Sequence, residues 1–248
     1  MQLNIHPDSS TNVCINHCYV RNGDDVIAIK SGWDQYGISF ARPSSNVSIF
    51  NITGETRGGA GIAIGSEMSG GISEVRAEGL RIVNSLHGIK IKTAPGRGGY
   101  VTNVYILDVT MHNVSMAIRI TGNYGEHPDN NYDRNALPVI NNITIEDVIG
   151  VDVGVAGILE GIQGDNFSSI CISNVSLSVQ SRHPWSCSLI QGYSNSVTPE
   201  SCEQLSTNCG QTPVCYNGGS SSAICVHAPT HKTSANRLLD LLLKLSSM

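Results

Sequence analysis

A short apolar pattern recurs along most of this chain. In each copy a polar residue is followed by Val or Ile, then by any residue, then by Ile or Ala. Six copies begin at Asn12, Asn46, Glu74, Asn103, Asn142 and Ser169. Alternation of this kind is typical of a β-strand with one buried face. The copies lie 27 to 39 residues apart, and repeats of that length predict a solenoid.

A second strand follows each of the first five copies after about fourteen residues. These second strands are also rich in isoleucine, and they lie at 26–30, 61–65, 88–92, 117–121 and, less regularly, 157–161. Two strands in each repeat, short turns and isoleucines in register predict an all-β fold. We expect a right-handed, single-stranded parallel β-helix over residues 1–205, with coils about 4.8 Å apart.

The C-terminal part of the chain has a different composition. Five of the eight cysteines lie in the last quarter, at Cys187, Cys202, Cys209, Cys215 and Cys225. A Ser/Gly/Thr-rich segment with this many cysteines predicts a cap held by disulfides. We therefore expect a Cys-rich tail over 206–248. It ends in Arg237–Leu245, which favours a short helix covering the last coil, with a membrane-surface helix as the alternative.

The composition excludes some functions and leaves others open. With 14% charged residues and a formal net charge of -5, the chain does not resemble a nucleic-acid-binding protein. It has no apolar run long enough to span a membrane and no signal peptide at its start. Eight cysteines are nevertheless typical of the secretory pathway. We therefore expect an extracellular protein whose natural N-terminus is missing or differs.

Six Asn-x-Ser/Thr sequons point the same way. They begin at Asn46, Asn51, Asn113, Asn142, Asn166 and Asn174. They indicate glycosylation or, equally well, a structural preference for Asn at the starts of strands.

A further choice concerns Cys14, His17 and Cys18. They could hold zinc, but they lie on one short strand without a second ligand pair, which favours packing or a disulfide.

Two adjacent acids, Asp24 and Asp25, precede the first of the second strands. When the second strands are aligned, the column of Asp25 continues through Ala60, His87 and Met116. Lys90 and Lys92 fall in two further columns, beside Ala63 and Gly65. Carboxylates on one coil and cations two coils away predict a groove suited to an anionic sugar chain. The alternative is a set of solvated charges with no ligand.

Four ordered motifs give the chain a family resemblance. They are Gly23-Asp24-Asp25, the run 64–71, Ile89-Lys90-Ile91-Lys92-Thr93 and Gly96-Arg97-Gly98-Gly99-Tyr100. Over about residues 5–205 the chain resembles the second half of a plant polygalacturonase-like protein of glycoside hydrolase family 28. The pectin-lyase-like solenoid of that family agrees with the fold predicted from the repeats.

The resemblance implies inverting hydrolysis of α-1,4-galacturonosyl bonds in pectin, without a metal or an organic cofactor. Asp24 matches the family's general acid, and Asp25 matches a carboxylate that positions or activates water. Lys92 matches a lysine that holds a substrate carboxylate. The other candidate substrate-binding residues are Lys90, His87 and Tyr100, the last as a stacking platform or, equally, as an aromatic packed on the coil. We expect a monomer that acts on galacturonan in the cell wall.

Three departures from the family pattern keep other functions open. Leu3 stands where the family has a third aspartate, Gly59-Ala60-Gly61 occupies the place of a Gly-His-Gly motif, and Lys90 replaces an arginine. His87, one coil above Ala60, is a candidate substitute for the lost histidine. The alternatives to an active hydrolase are a catalytically impaired β-helix that binds pectin and a truncated product without function.

Overall fold

The structure, a computed structural model, describes residues 4–206. Within this range the chain forms twelve strands and one helix, α1 (Asp34–Phe40). The first six strands are β1 (Thr11–Asn16), β2 (Tyr19–Asn22), β3 (Ile27–Ile29), β4 (Ser44–Thr56), β5 (Ala60–Gly65) and β6 (Ile72–Lys92). The others are β7 (Tyr100–Thr121), β8 (Val139–Glu160), β9 (Phe167–Val179), β10 (Trp185–Ser188), β11 (Ile190–Thr198) and β12 (Leu205–Ser206).

The predicted parallel β-helix is confirmed. Its main sheet runs in the order β1, β4, β6, β7, β8, β9, β11, β12, and neighbouring strands are parallel. The second residues of the six repeats stack on one another in the order Val13, Val47, Val75, Val104, Ile143 and Ile170. The sequence repeat therefore corresponds to one coil of the helix.

Stacks of aliphatic side chains fill the interior of the coils. One stack contains Ile62, Ile89 and Ile118, which are at most 1% exposed and pair directly with one another. Branched side chains favour extended backbone and pack well on a pleated surface. Because the same residue type returns at each coil, the register is fixed: a slip by one residue would expose a whole stack.

Asparagines mark the bends between the strands of each coil. Five of the six sequon asparagines have positive φ angles, all between 48° and 53°. They are Asn46, Asn51, Asn113, Asn142 and Asn174. Asn is among the few side chains that tolerate this left-handed conformation. Several form ladders along the axis: the Asn46 amide donates to Asn12 Oδ1 at 2.7 Å, and Asn142 donates to Asn103 Oδ1 at 2.6 Å. For these five, the structural explanation of the sequons accounts for the asparagine.

The predicted columns of the second strands are also confirmed. Ala60 pairs with His87 and then Met116, Ala63 pairs with Lys90 and then Arg119, and Gly65 pairs with Lys92 and then Thr121. On the first coil, Asp25 lies beneath Ala60 and accepts a hydrogen bond from its N–H. All these strands form one continuous parallel surface.

A long loop over residues 122–138 separates β7 from β8 and lies against α1. The buried Arg97 connects these parts, because its guanidinium bonds to Asp34 at the start of α1 and to the Glu126 carbonyl in the loop. His127 Nδ1 lies 2.7 Å from Asp34 Oδ2, and the His127 ring stacks on Tyr132. The loop is thus held to the coils by a buried charge cluster.

One predicted disulfide of the cap is present, between Cys187 and Cys202. Cys14 is also disulfide-bonded, whereas Cys18 is a free thiol, and within residues 4–206 no three His, Cys, Asp or Glu side chains are grouped to hold a metal. Leu3 and nearly all of the predicted tail, including its helix, lie outside the described residues, so the boundary at 205 stays a prediction. None of the described helices is long and apolar enough to cross a membrane.

Candidate functional site

The two acids lie in the short connection between β2 and β3. Asp24 is exposed, whereas Asp25 is 3% exposed. Asp24 Oδ1 accepts the Asp25 N–H at 2.7 Å, and the Asp24 carbonyl accepts a bond from Thr56 Oγ1 at 2.6 Å. The Asn22 amide donates to the Asp25 carbonyl at 2.9 Å. The pair is therefore held rigidly, with one carboxylate towards solvent and the other in the coil.

Both oxygens of Asp25 have partners from higher coils. Oδ1 accepts the Ala60 N–H at 2.8 Å, and Oδ2 accepts a bond from Lys92 Nζ at 2.7 Å. Burial alone would lower the pKa of Lys92, but attraction and hydrogen bonding by Asp25 raise it above its usual value. Lys92, predicted to face the acids from two coils away, thus reaches Asp25 directly.

Glycine at position 59 allows the second coil to pass close to the acids. A Cβ there would lie 2.3 Å from both the Asp24 carbonyl carbon and the Asp25 nitrogen. No side chain fits at that distance without moving the backbone of one strand. Gly59 therefore fixes how near the Ala60 N–H comes to the Asp25 carboxylate.

His87 and Lys90 extend the site along the helix axis. Burial lowers the pKa of His87 to about 4, with repulsion by Lys90 as the next cause. Burial also lowers the pKa of Lys90, and the charge of Lys92 adds to this effect. His87 Nδ1 is buried and has no hydrogen-bond partner within residues 4–206. The site therefore combines a neutral imidazole with two neighbouring ammonium groups.

Tyr124 is a site residue that sequence reasoning missed. Its ring centroid lies 5.5 Å from Lys90 Nζ and 5.3 Å from Lys92 Nζ, within cation–π range. Burial raises the pKa of its hydroxyl. One sequence signal was available for Tyr124. It lies three residues after the end of β7, in the loop that follows the coil above Lys92. The loop's path, however, cannot be read from periodicity.

His6 was missed as well. It lies between Ile5, which pairs with Ile27, and Asp8, which pairs with Lys30. This register places His6 beside Ala28, one coil below and in the column that continues through Ala63 to Lys90. It therefore belongs to the same face as the other site residues.

Tyr100 has a different environment. Its ring lies against Gly71, where a Cβ would come within 2.4 Å of the ring. The contacts of Tyr100 are those of an aromatic packed on the coil, and a stacking role at the groove stays a prediction.

At the two ends of the site the charges are paired, with Lys30 bound to Glu67 at 2.6 Å and Arg119 bound to Glu160 at 3.3 Å.

These side chains form a polar strip across the parallel surface. An exposed carboxylate lies at one end, a buried carboxylate bound to an ammonium lies behind it, and a second ammonium with a tyrosine ring lies above. Carboxylates can exchange protons with a sugar oxygen and ammonium groups can bind anions, so the strip suits a polymer of acidic sugars. Fold and site together define a parallel β-helical protein with a charged strip of carboxylates and ammonium groups on one sheet.

Comparison with known proteins identifies the family. The model of the glycosyl hydrolases family 28 matches residues 4–202, so the chain belongs to that family. It is 47% identical over 204 residues to a probable polygalacturonase of Vitis vinifera, covering 81% of this chain and 42% of that protein. An endo-polygalacturonase of Pectobacterium carotovorum is 31% identical over 177 residues, which cover 71% of this chain and 40% of the relative.

A solved structure shows the same fold. The exopolygalacturonase of Thermotoga maritima superposes with a TM-score of 0.70 and 28% sequence identity. The superposition covers 78% of this chain and 43% of the bacterial one. The chain therefore spans about two fifths of the length of the proteins it matches.

Proposed function

We propose that this protein hydrolyses α-1,4-galacturonosyl bonds of pectic galacturonan with inversion of configuration. The observation that carries the proposal is the exposed Asp24 beside an Asp25 that is ion-paired with Lys92 at 2.7 Å, in a chain of glycosyl hydrolases family 28. An acid open to the ligand and a second carboxylate held in place by a cation supply the two groups that inverting hydrolysis requires.

Asp24 and Asp25 have separate roles in the proposed reaction. Asp24 donates its proton to the oxygen of the departing sugar as the glycosidic bond breaks. Asp25 orients a water molecule on the opposite face and accepts its proton as the new bond to the anomeric carbon forms. A carboxylate offers about four lone-pair positions, so the bonds from Ala60 and Lys92 leave room for water. In inverting enzymes the two carboxyl groups lie about 6.5–9.5 Å apart to admit that water.

The substrate carboxylates bind to the cationic part of the site. Lys90 and Lys92 supply ammonium groups, and Tyr124 offers its ring beside both. An ammonium has three donors, so Lys92 can hold Asp25 and a sugar carboxylate together. His87 stays neutral above a pH of about 4 and donates or accepts a hydrogen bond without adding charge. Lys90 binds as a point charge, without the bidentate geometry of an arginine.

The first experiment measures reducing-end release from polygalacturonic acid by the purified chain at about pH 5, where a neutral His87 and an anionic polymer coexist. The matched control is Asp24→Asn, which keeps the shape of the exposed side chain. Release that disappears in the control supports the proposal. Equal release by both proteins would show that Asp24 is not the acid.

A second function, pectin binding without hydrolysis, is favoured by one specific observation. Asp25, whose carboxylate would have to activate the water, is only 3% exposed. A well-folded chain that binds galacturonan in calorimetry and releases no reducing ends would support this reading. Absence of binding would exclude both functions.

We further propose that the protein acts outside the cell, in the cell wall, and that it is a monomer. The disulfide between Cys187 and Cys202 is consistent with an oxidising compartment. Secretion of the protein when its gene is expressed in plant cells, and a monomer mass in light scattering, would support both points. A cytosolic location or a stable dimer would contradict them.

A further inference from the structure

A second concave site lies beyond the lysines along the helix axis. It is a cleft of about 660 Å³ between the 122–138 loop and the residues that follow β8 and β10. The lining residues used below are Asn123, Arg134, Leu137, Glu160, Ile162 and Gln163. Glu160, bound to Arg119, marks the end of the site around the two aspartates, and the other five residues lie beyond it.

The cleft continues the polar strip. Glu160 pairs with Thr121, and Thr121 pairs with Lys92, so Glu160 belongs to the column of the substrate-binding lysine. The 122–138 loop also joins the lysines of the site to the cleft, because Tyr124 lies beside Lys90 and Lys92 while the preceding residue, Asn123, lines the cleft. Four coil spacings, or about 19 Å, separate the level of Asp25 from that of Glu160.

The lining of the cleft suits an acidic sugar. Arg134 is exposed, and its guanidinium lies 5.8 Å from the Tyr132 ring. A guanidinium can bind a carboxylate through two parallel N–H bonds. Leu137 and Ile162 supply apolar surface for the face of a sugar ring. Asn123 and Gln163 supply amides for hydroxyl groups. Apolar walls with a few polar groups are typical of a ligand site.

The cleft is also held in shape before any ligand binds. The N–H groups of Gly96 and Gly98 donate to the Ala136 carbonyl at 3.0 and 2.9 Å, which fixes the wall next to Leu137. Arg97 fixes the other end of the loop through the Glu126 carbonyl. A preformed site loses little conformational entropy on binding.

We propose that this cleft binds a galacturonosyl unit of the same polymer, at a distance from the unit held at Asp24 and Asp25, with Arg134 binding its carboxylate. The inference rests on the proposed function for the identity of the polymer. It makes the affinity of the protein depend on chain length. Short oligomers occupy only the lysine site, whereas longer ones reach Arg134 as well.

The test measures binding of di-, tetra- and hexagalacturonate by calorimetry at one ionic strength, in Asp24→Asn protein so that the ligands are not consumed. We expect Arg134→Gln to weaken hexagalacturonate binding about tenfold, the effect of one charge-assisted contact, and to leave digalacturonate binding unchanged. Arg81→Gln is the matched control, because it removes an equal charge from an exposed position on a different strand face. Melting temperatures of the variants verify that each is folded.

The outcomes separate this inference from the proposed function. If hexagalacturonate binds the Arg134 and Arg81 variants equally well, the cleft is not a subsite, whatever the activity of the protein. If the length-dependent loss appears but the unmodified protein releases no reducing ends, the inference holds and hydrolysis fails. If none of the oligomers binds, both are overturned.

Discussion

Replacing Arg97 by methionine should destabilise the whole protein, because this arginine is the centre of a buried charge cluster. Arg97 and Asp34 are both completely buried. The guanidinium donates to Asp34, to the Ser66 carbonyl at 2.8 Å and to the Glu126 carbonyl. Methionine fills similar space but provides none of these donors. The Asp34 carboxylate then remains buried, with His127 as its remaining side-chain partner.

The magnitude follows from the burial of the pair. Removing one partner of a buried ion pair costs about 3–5 kcal/mol, because the other charge is left without compensation. In a chain of this size each kcal/mol lowers the melting temperature by roughly 2–4 °C. We therefore expect Arg97→Met to lower the melting temperature by roughly 6–20 °C.

The assay is thermal and urea unfolding followed by circular dichroism. Arg21→Ala is the control, since Arg21 is 65% exposed and pairs with Glu55 at 3.6 Å, so it should cost less than about 1 kcal/mol. Adding Asp34→Asn to Arg97→Met should recover part of the loss, because Asn tolerates the φ of 48° at this position and carries no charge. Equal losses for Arg97→Met and Arg21→Ala would refute the argument.

Three further predictions concern the site itself. Lys92→Met should reduce both reducing-end release and the free energy of unfolding, the latter by about 3 kcal/mol, because it leaves the buried Asp25 without a cation; unchanged urea unfolding would contradict this. His87→Gln should flatten the dependence of stability on pH. The pKa of His87 is about 4 in the folded protein and 6.5 in the unfolded chain, so the unfolded chain binds the proton first and the original protein loses stability as pH falls through that interval. Urea titrations at several pH values measure how the free energy of unfolding changes with pH. Equal slopes for the original protein and the variant would count against the burial of His87. Gly59→Ala should destabilise the protein by about 1–3 kcal/mol by melting and reduce its activity, whereas Gly125→Ala, with open space around it, should do neither.

The repeats were sufficient to predict the fold and the columns. Val13, Val47 and Val75 recur because each coil must bury the same face, and stacking converts that recurrence into register. The positions of His87 and Lys90 follow directly from the alignment. Backbone position along a solenoid is thus readable from apolar periodicity, because a slip in register would expose the core.

The details of the site could not be predicted in the same way. Periodicity gives the column of Lys92 but not the conformation of its side chain, which crosses two coil spacings to reach Asp25. It also gives no path for the 122–138 loop, so the position of Tyr124 over both lysines was missed. That path depends on Arg97 and Asp34, which lie far apart in sequence and form a contact that no local pattern reports.

The departure from the family motif near residue 60 has a physical consequence for where a histidine can act. A side chain at Gly59 would collide with the backbone of the acid pair, and Ala60 is fully buried against Ala28 and Ala63. Position 60 therefore carries a buried methyl group, and the described imidazole in the same column is that of His87, about 4.8 Å further along the axis. Its lowered pKa keeps it neutral at mildly acidic pH, so it can exchange hydrogen bonds with a ligand without competing for its carboxylate. A hydrogen bond from an imidazole of this column to a ligand is therefore made one coil above the position of the family motif.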